Sequence, residues 1–261
     1  MIFRRIKAHI EKENWFAVFI DFLIVVVGIL IAFQITNWNE AKQQRANLVA
    51  AETALKPDII QNFRNAKERL ALTQCRIESI RTLSEALLLP DPLWQGMPRE
   101  DLSFDDDITF PYVLRAPSRT WGWRIWNAEL DRGSFNLMDI DRRQTLDFIF
   151  QLAKQVEEHQ NENYTAQSRL KILANTMELS RQERARYFEM LTEIDQVSFS
   201  IELDSRYIID SVLSLKLEFN TEERDAMAKD IEEQNVVSRE LYGDCWEDIV
   251  FDFLNETKQV K

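Results

Sequence analysis

Asp21 is the most chemically loaded position in the chain, because it interrupts the apolar run Phe19, Ile20, Phe22, Leu23. An ionisable side chain in such surroundings is costly unless it meets a partner helix or reaches water, and its chemistry there would be proton or ion transfer. Three tryptophans, Trp121, Trp123 and Trp126, fall close together beside Arg119 and Arg124. Indoles at this density can line a pocket or an interface, or else plug a core and clamp a loop onto helices. His159 and Glu162, three apart on one helix face, could begin a metal site; the plainer reading is a polar face within VEEHQNEN. Asp105, Asp106 and Asp107 suggest calcium, but consecutive carboxylates cannot converge on one ion, and no glycine turn or bidentate glutamate follows, so they read as a solvated acidic turn.

Cys75 and Cys245 are the only cysteines. Two thiols exclude a thiolate metal cage, leaving either a disulfide, if the compartment is oxidising, or two buried free cysteines. The only histidines are His9 and His159, and the chain has no glycine-rich phosphate loop, nucleophile elbow or zinc-protease motif. No enzymatic activity, cofactor or metal is expected.

The elements that would position these residues begin with a membrane span. Residues 16 to 36, FAVFIDFLIVVVGILIAFQIT, form an apolar run about as long as a bilayer is thick. Trp15 and Trp38 bracket it where amphipathic rings prefer to lie, and it is too long for a removed signal peptide. Arg4, Arg5, Lys7 and Lys12 precede it, whereas only Lys42 and Arg45 follow nearby, which predicts a cytoplasmic N-terminus and a periplasmic body. Gly28, Ala32 and Thr36 recur every four residues, a spacing that lets another helix approach closely, and Gln34 adds a polar group that prefers a protein neighbour to lipid. Partners are therefore the bilayer itself and a second membrane protein or a second copy of the chain. Residues 1 to 40 hold four basic and four acidic side chains, so the whole formal charge of -12 belongs to the rest. That acidity argues against nucleic acid or an anionic lipid surface as partner.

Five of the six prolines lie between 90 and 117 and none follows. Proline breaks helices, so the map is helices on either side of one proline-rich loop, 90 to 119. The anchor helix is expected to run on to Leu55 and a renewed helix to open at Pro57, with Asp58 in its first turn. That second helix carries a seam of Ile59, Phe63, Ala66, Leu70, Thr73, Ile77, Ile80, Ser84 and Leu87. TWGWRIWNAELDRG reads as a short helix closed by Gly133. Asp139 or Asp141 caps a long helix to about Leu179, with Leu146, Ile149, Phe150, Ala153 and Val156 on its apolar stripe. Ser180 with Glu183, Asn220 with Glu223 and Asp244 with Glu247 have capping-box spacing, predicting helices to about Phe219, to Gly243, and through DCWEDIVFDFLNE. The fold class is all-α: a transmembrane helix followed by an extramembrane bundle. The regions are 1–14 (basic arm), 15–38 (anchor), 39–89 (membrane-proximal helices), 90–119 (loop) and 120–261 (helical domain packing with 39–89).

The segment from Gly28 to Glu40, GILIAFQITNWNE, resembles the membrane exit of a widespread group of small bacterial single-span proteins of unknown function. The stretch from Thr120 to Leu146 is similar to that group in looser outline: an aromatic after threonine, a short helix, a glycine, then an aspartate opening a long helix. The resemblance implies an inner-membrane protein with a helical outer domain and implies no activity. FIDFLIVVVGILIAF is also superficially similar to the single span of the proton-conducting partner subunits of Ton, Tol and flagellar motor complexes, although their periplasmic domains are unlike a helical body of this size. The expected function is thus a membrane-anchored interaction or accessory protein of the envelope. The alternatives are an energy-coupling subunit using Asp21 and a periplasmic ligand-sensing domain around the tryptophan loop.

Overall fold

The computed structural model describes residues 15–97, 100–103, 109–112, 114 and 117–251. The basic arm with Arg4, Arg5, Lys7, His9 and Lys12, the Asp105–Asp107 turn and the end of the expected terminal helix lie outside the described residues. The architecture is all-α. Helix α1 (Trp15–Ala71) is followed by α2 (Thr73–Leu88), strands β1 (Leu93–Trp94), β2 (Glu100–Ser103) and β3 (Thr109–Tyr112), and helices α3 (Arg124–Asp131) and α4 (Ile140–Leu170). Strand β4 (Met177–Glu178) precedes α5 (Arg181–Ser214) and α6 (Thr221–Tyr242). The most extensive contacts are α4 along α5 and α1 along α5.

Helix α1 corrects the expected break before Pro57. It runs 57 residues straight through that proline, about 85 Å at the helical rise. Proline at 57 removes the amide that would bond to the carbonyl of Thr53, but Thr53 and Pro57 are both on the exposed side, where water can serve the freed carbonyl. On the opposite face Ala51, Leu55, Ile59 and Phe63 are all buried, so packing keeps the helix continuous across the proline.

The true interruption comes at Leu72. There the carbonyl of Ala71 accepts a hydrogen bond from the Glu247 amide of the C-terminal tail at 3.1 Å. The offset resets the expected seam: Leu72 and Cys75 turn inward in place of Thr73 and Ile77, and Ile77 is exposed. Ile59, Phe63 and Ala66 then belong to one apolar cluster, and Leu83 and Leu87 to a second, with Trp94, Leu170, Leu173 and Leu191.

Two further expectations are corrected. The long helix ends at Leu170 rather than Leu179, passing through a 3-10 turn, Lys171–Ala174, into β4. The cause is the proline-rich segment, which captures this stretch: Met97 N–H and Trp94 Nε1 both donate to Leu173 O, Leu179 N–H donates to Pro92 O, and β1 pairs antiparallel with β4. The segment from 90 to 119 is accordingly not wholly irregular, and β2 and β3 pair within it. The helix expected from Asp244 is instead a 3-10 turn, Gly243–Cys245, followed by extended chain. Glu247 spends its amide on Ala71, and the Asn235 side chain brackets Ile249, donating to its carbonyl at 3.0 Å and accepting from its amide at 2.8 Å. Backbone groups bonded to neighbours in this way cannot also close a helical ladder.

The helix opened at Ser180 ends at Ser214 rather than near Phe219, because Lys216 takes a positive φ that a helix cannot continue through; the other boundaries follow the sequence reading. Asp139 caps α4, complete capping boxes open α5 at Ser180 and α6 at Asn220, and Gly133 has the positive φ of a helix-ending residue. Cys75 and Cys245 are joined in a disulfide. It ties the start of α2 to the tail beside the Ala71–Glu247 hydrogen bond and closes a loop of 170 residues. Loops of this length constrain the unfolded chain strongly in the chain-entropy account. The Cys75→Ala/Cys245→Ala variant should lose about 2–5 kcal/mol, measured as a lower denaturant midpoint, with a steeper slope because the unfolded chain is freed of its cross-link. An equal loss should follow reduction of the wild type.

Candidate functional site

The helix face of α1 between residues 61 and 69 is polar and yet largely buried: Asn62, Asn65, Glu68 and Arg69 are all inside the protein. Spaced by three or four residues, they form one row, and the row holds the extended chain from Pro117 to Gly122. Asn62 Nδ2 donates to Gly122 O at 2.7 Å while its Oδ1 accepts from Gly122 N–H at 2.8 Å. Gln61 and Asn65 both donate to Thr120 O at 2.9 Å. Arg119 forms a two-pronged pair with Glu68, each bond 2.6 Å, and Arg69 Nη2 donates to Pro117 O. From α4, Gln160 completes the grip: Oε1 accepts from Arg69 Nη2 at 2.5 Å and from Arg119 N–H at 3.0 Å, and Nε2 donates to Arg119 O at 3.0 Å.

Gly122 is required by closeness. A Cβ there would lie 2.5 Å from Asp58 Cγ and 2.6 Å from Asp58 Cβ. The same crowding desolvates Asp58 and raises its pKa.

The electrostatics along the row are uneven. Glu68 is almost wholly buried, and its charge is answered by Arg119; that hydrogen bond, above all, raises the Arg119 pKa. Arg69 has no carboxylate within ion-pairing distance among the described residues, and burial pushes its pKa down to about 10, partly offset by Glu68. About two turns beyond, Arg76 pairs with Glu202 at 2.6 Å and with Asp195. The polar groups separate the two apolar clusters and border cavities between α1, α2, α4 and α5.

The tryptophan cluster divides. Trp121 and Trp126 are fully buried, and Trp126 stacks on Phe135 and Phe150 and donates to Asp147 at 3.1 Å. They plug the core. Trp123 is half-buried, donates to Glu157 at 2.7 Å and carries the Arg124 guanidinium over its ring at 4.4 Å. None of these indoles lines the cavities beside Arg69. Arg119 alone of the predicted group joins the buried polar row.

His159 does not pair with Glu162, which is exposed; its Nδ1 lies 3.6 Å from Asp204 Oδ2 on α5. Burial raises the Asp204 pKa, and His159 draws it partly back. No cluster of three His, Cys, Asp or Glu side chains suited to a metal occurs among the described residues. The anchor residues all lie on α1, Trp15 as its first residue and Asp21, Gly28, Ala32, Gln34 and Trp38 along its first half; the last five are exposed. Thr36 Oγ1 bonds back to Ala32 O at 3.0 Å, and Lys42 sits over Trp38 at 5.8 Å.

The polar row was missed in the sequence, although a signal was present. Asparagine is a poor helix former, and Asn62 and Asn65 flank the strongly apolar Phe63 in mid-helix, which is unfavourable unless their side chains are used. Comparison with family models, with curated proteins and with solved structures finds no match.

Two outcomes follow from this geometry. Arg119→Ala leaves the Glu68 carboxylate buried without its partner and should cost about 3 kcal/mol in chemical denaturation. Adding Glu68→Gln should recover part of that loss. Asp58→Asn should stabilise the protein at neutral pH, because the charged form is the one that burial penalises. The raised pKa means that the folded state binds the proton more tightly, so stability falls as pH rises through this range. The gain from asparagine should accordingly shrink on acidification and vanish below the ordinary aspartate value of 3.8, as followed by thermal unfolding against pH.

Proposed function

We propose that this is a membrane-anchored helical interaction or accessory protein of the bacterial cell envelope, acting without catalysis, with residues 1–14 in the cytoplasm and the body in the periplasm. The observation that carries this reading is the division of α1. One helix is long and apolar enough to span a membrane, and none of its most apolar window is buried inside the protein. Phe22, Ile24, Ile29 and Phe33 are each more than half exposed. An apolar surface that continuous is not stable in water and requires lipid or another helix. Past Trp38 the same helix becomes a structural member of the body, where Ala51, Leu55, Ile59 and Phe63 are core.

The orientation rests on the basic residues ahead of the span, and a Cys75–Cys245 disulfide suits an oxidising compartment. The resemblance of the Gly28–Glu40 exit to uncharacterised bacterial single-span proteins agrees with the same placement. The partner in this reading is a membrane protein or a second copy, reached through the anchor.

Reporter fusions at the C-terminus decide the orientation. A reporter active only in the periplasm should work and one active only in the cytoplasm should fail, with the protein retained in the membrane fraction after alkaline washing. The reverse pattern, or release by the wash, overturns the proposal.

A further inference from the structure

The two apolar clusters leave between them a cavity of two lobes, with Arg69, Pro117, Asn163, Gln167 and Ile201 as their common wall. The inner lobe, about 50 Å³, extends toward Leu72, Ile80 and Ile194. The outer lobe, about 420 Å³, passes Gln160 and Asn161 to the exposed Tyr164.

Arg69 is only 7% exposed. Nη2 is engaged with Pro117 and Gln160, but Nε has no hydrogen-bond partner. The nearby carboxylates are already committed. Glu68 gives both oxygens to Arg119, and Glu202, on the wall of the inner lobe, gives both to Arg76. The guanidinium therefore holds its charge in a poorly solvated place with no ion pair of its own, helped only by the field of Glu68, a costly arrangement that an anion would relieve. Even with its pKa pushed down to about 10 by burial, it is cationic at neutral pH.

A second donor faces the inner lobe. Gln167 donates to Asn163 Oδ1 at 2.7 Å and Asn163 to Ser198 Oγ at 2.7 Å, so the Ser198 hydroxyl, accepting at its oxygen, keeps its proton for another acceptor.

We propose that this cavity binds a small aliphatic monocarboxylate, its carboxylate held by Arg69 and the Ser198 hydroxyl and its alkyl end in the inner lobe. A planar carboxylate matches the guanidinium geometry, and one cation without an ion pair, beside a wall that also carries Glu202, suits a single negative charge better than a phosphate dianion. At about 10–15 Å³ per water-sized group, the inner lobe accepts about three to five such groups, a chain of about two to four carbons. The inference is independent of which side of a membrane the body occupies.

Titration of the full chain in mild detergent with sodium butanoate, propionate and acetate, against sodium chloride at equal ionic strength and against butanamide, tests it by calorimetry and thermal unfolding. Saturable butanoate binding should appear, tighter than acetate and absent for butanamide, with a rise in unfolding temperature. Arg69→Gln should weaken it at least about tenfold. Because that variant also loses the hold on Pro117, Ser198→Leu serves as the second: it fills the inner lobe from α5, leaves the Arg69 bonds in place, and should abolish binding while the ligand-free protein still unfolds cooperatively. Wild-type protein that responds to butanoate no more than to chloride overturns the proposal, and so does undiminished butanoate binding by Ser198→Leu.

Discussion

The backbone of residues 117–122 runs through the side of a helical bundle, and its carbonyls and amides need partners there. Everything above α1's midpoint is arranged around that requirement. Asn62, Asn65, Glu68 and Arg69 supply one side and Gln160 the other, so α1 and α4 are kept apart by the thickness of an extended chain. That spacing lets Trp121 enter the core from the segment itself and Trp126 from the helix that follows it. A polar layer of this kind specifies one arrangement of the helices, because any sliding of α1 by a turn would strand several bonds together.

The fold was legible wherever the signal was local. Capping boxes at Ser180 and Asn220 and the helix end at Gly133 depend on residues within a few positions of each other, and they appear where the spacing placed them. The errors came from distant chain segments, which either compete for backbone groups or bury a helix face that local signals would have broken. Pro57 reads as a helix start, yet burial of Ala51, Leu55 and Ile59 on one face outweighed its missing amide. Asp244 and Glu247 have the same capping spacing as the successful pairs, yet Ala71, 176 positions away, takes the amide that the helix would have begun with. The stretch after Leu170 has no breaker of its own and is unwound by Pro92, Trp94 and Met97.

The candidate site was less legible, for a related reason. Arg119 could be picked out from its neighbours, but its importance lies in Glu68, and the isolation of Arg69 comes from other pairings being complete. Sequence shows charges and their signs; it does not show which acids are already engaged. The tryptophans drew attention by density, and two of them answer a packing need.

Stiffness is the lasting consequence of α1. From Trp38 to Ala71 the helix advances about 50 Å without a break, so no flexible tether separates the apolar half from the body. A tilt or axial rotation imposed at one end is delivered to the other with little loss, as by a drive shaft. Two such molecules joined side by side along their apolar halves would hold their bundles in fixed azimuth, and the bundle's reach from that junction would be set by helix length rather than by thermal wandering.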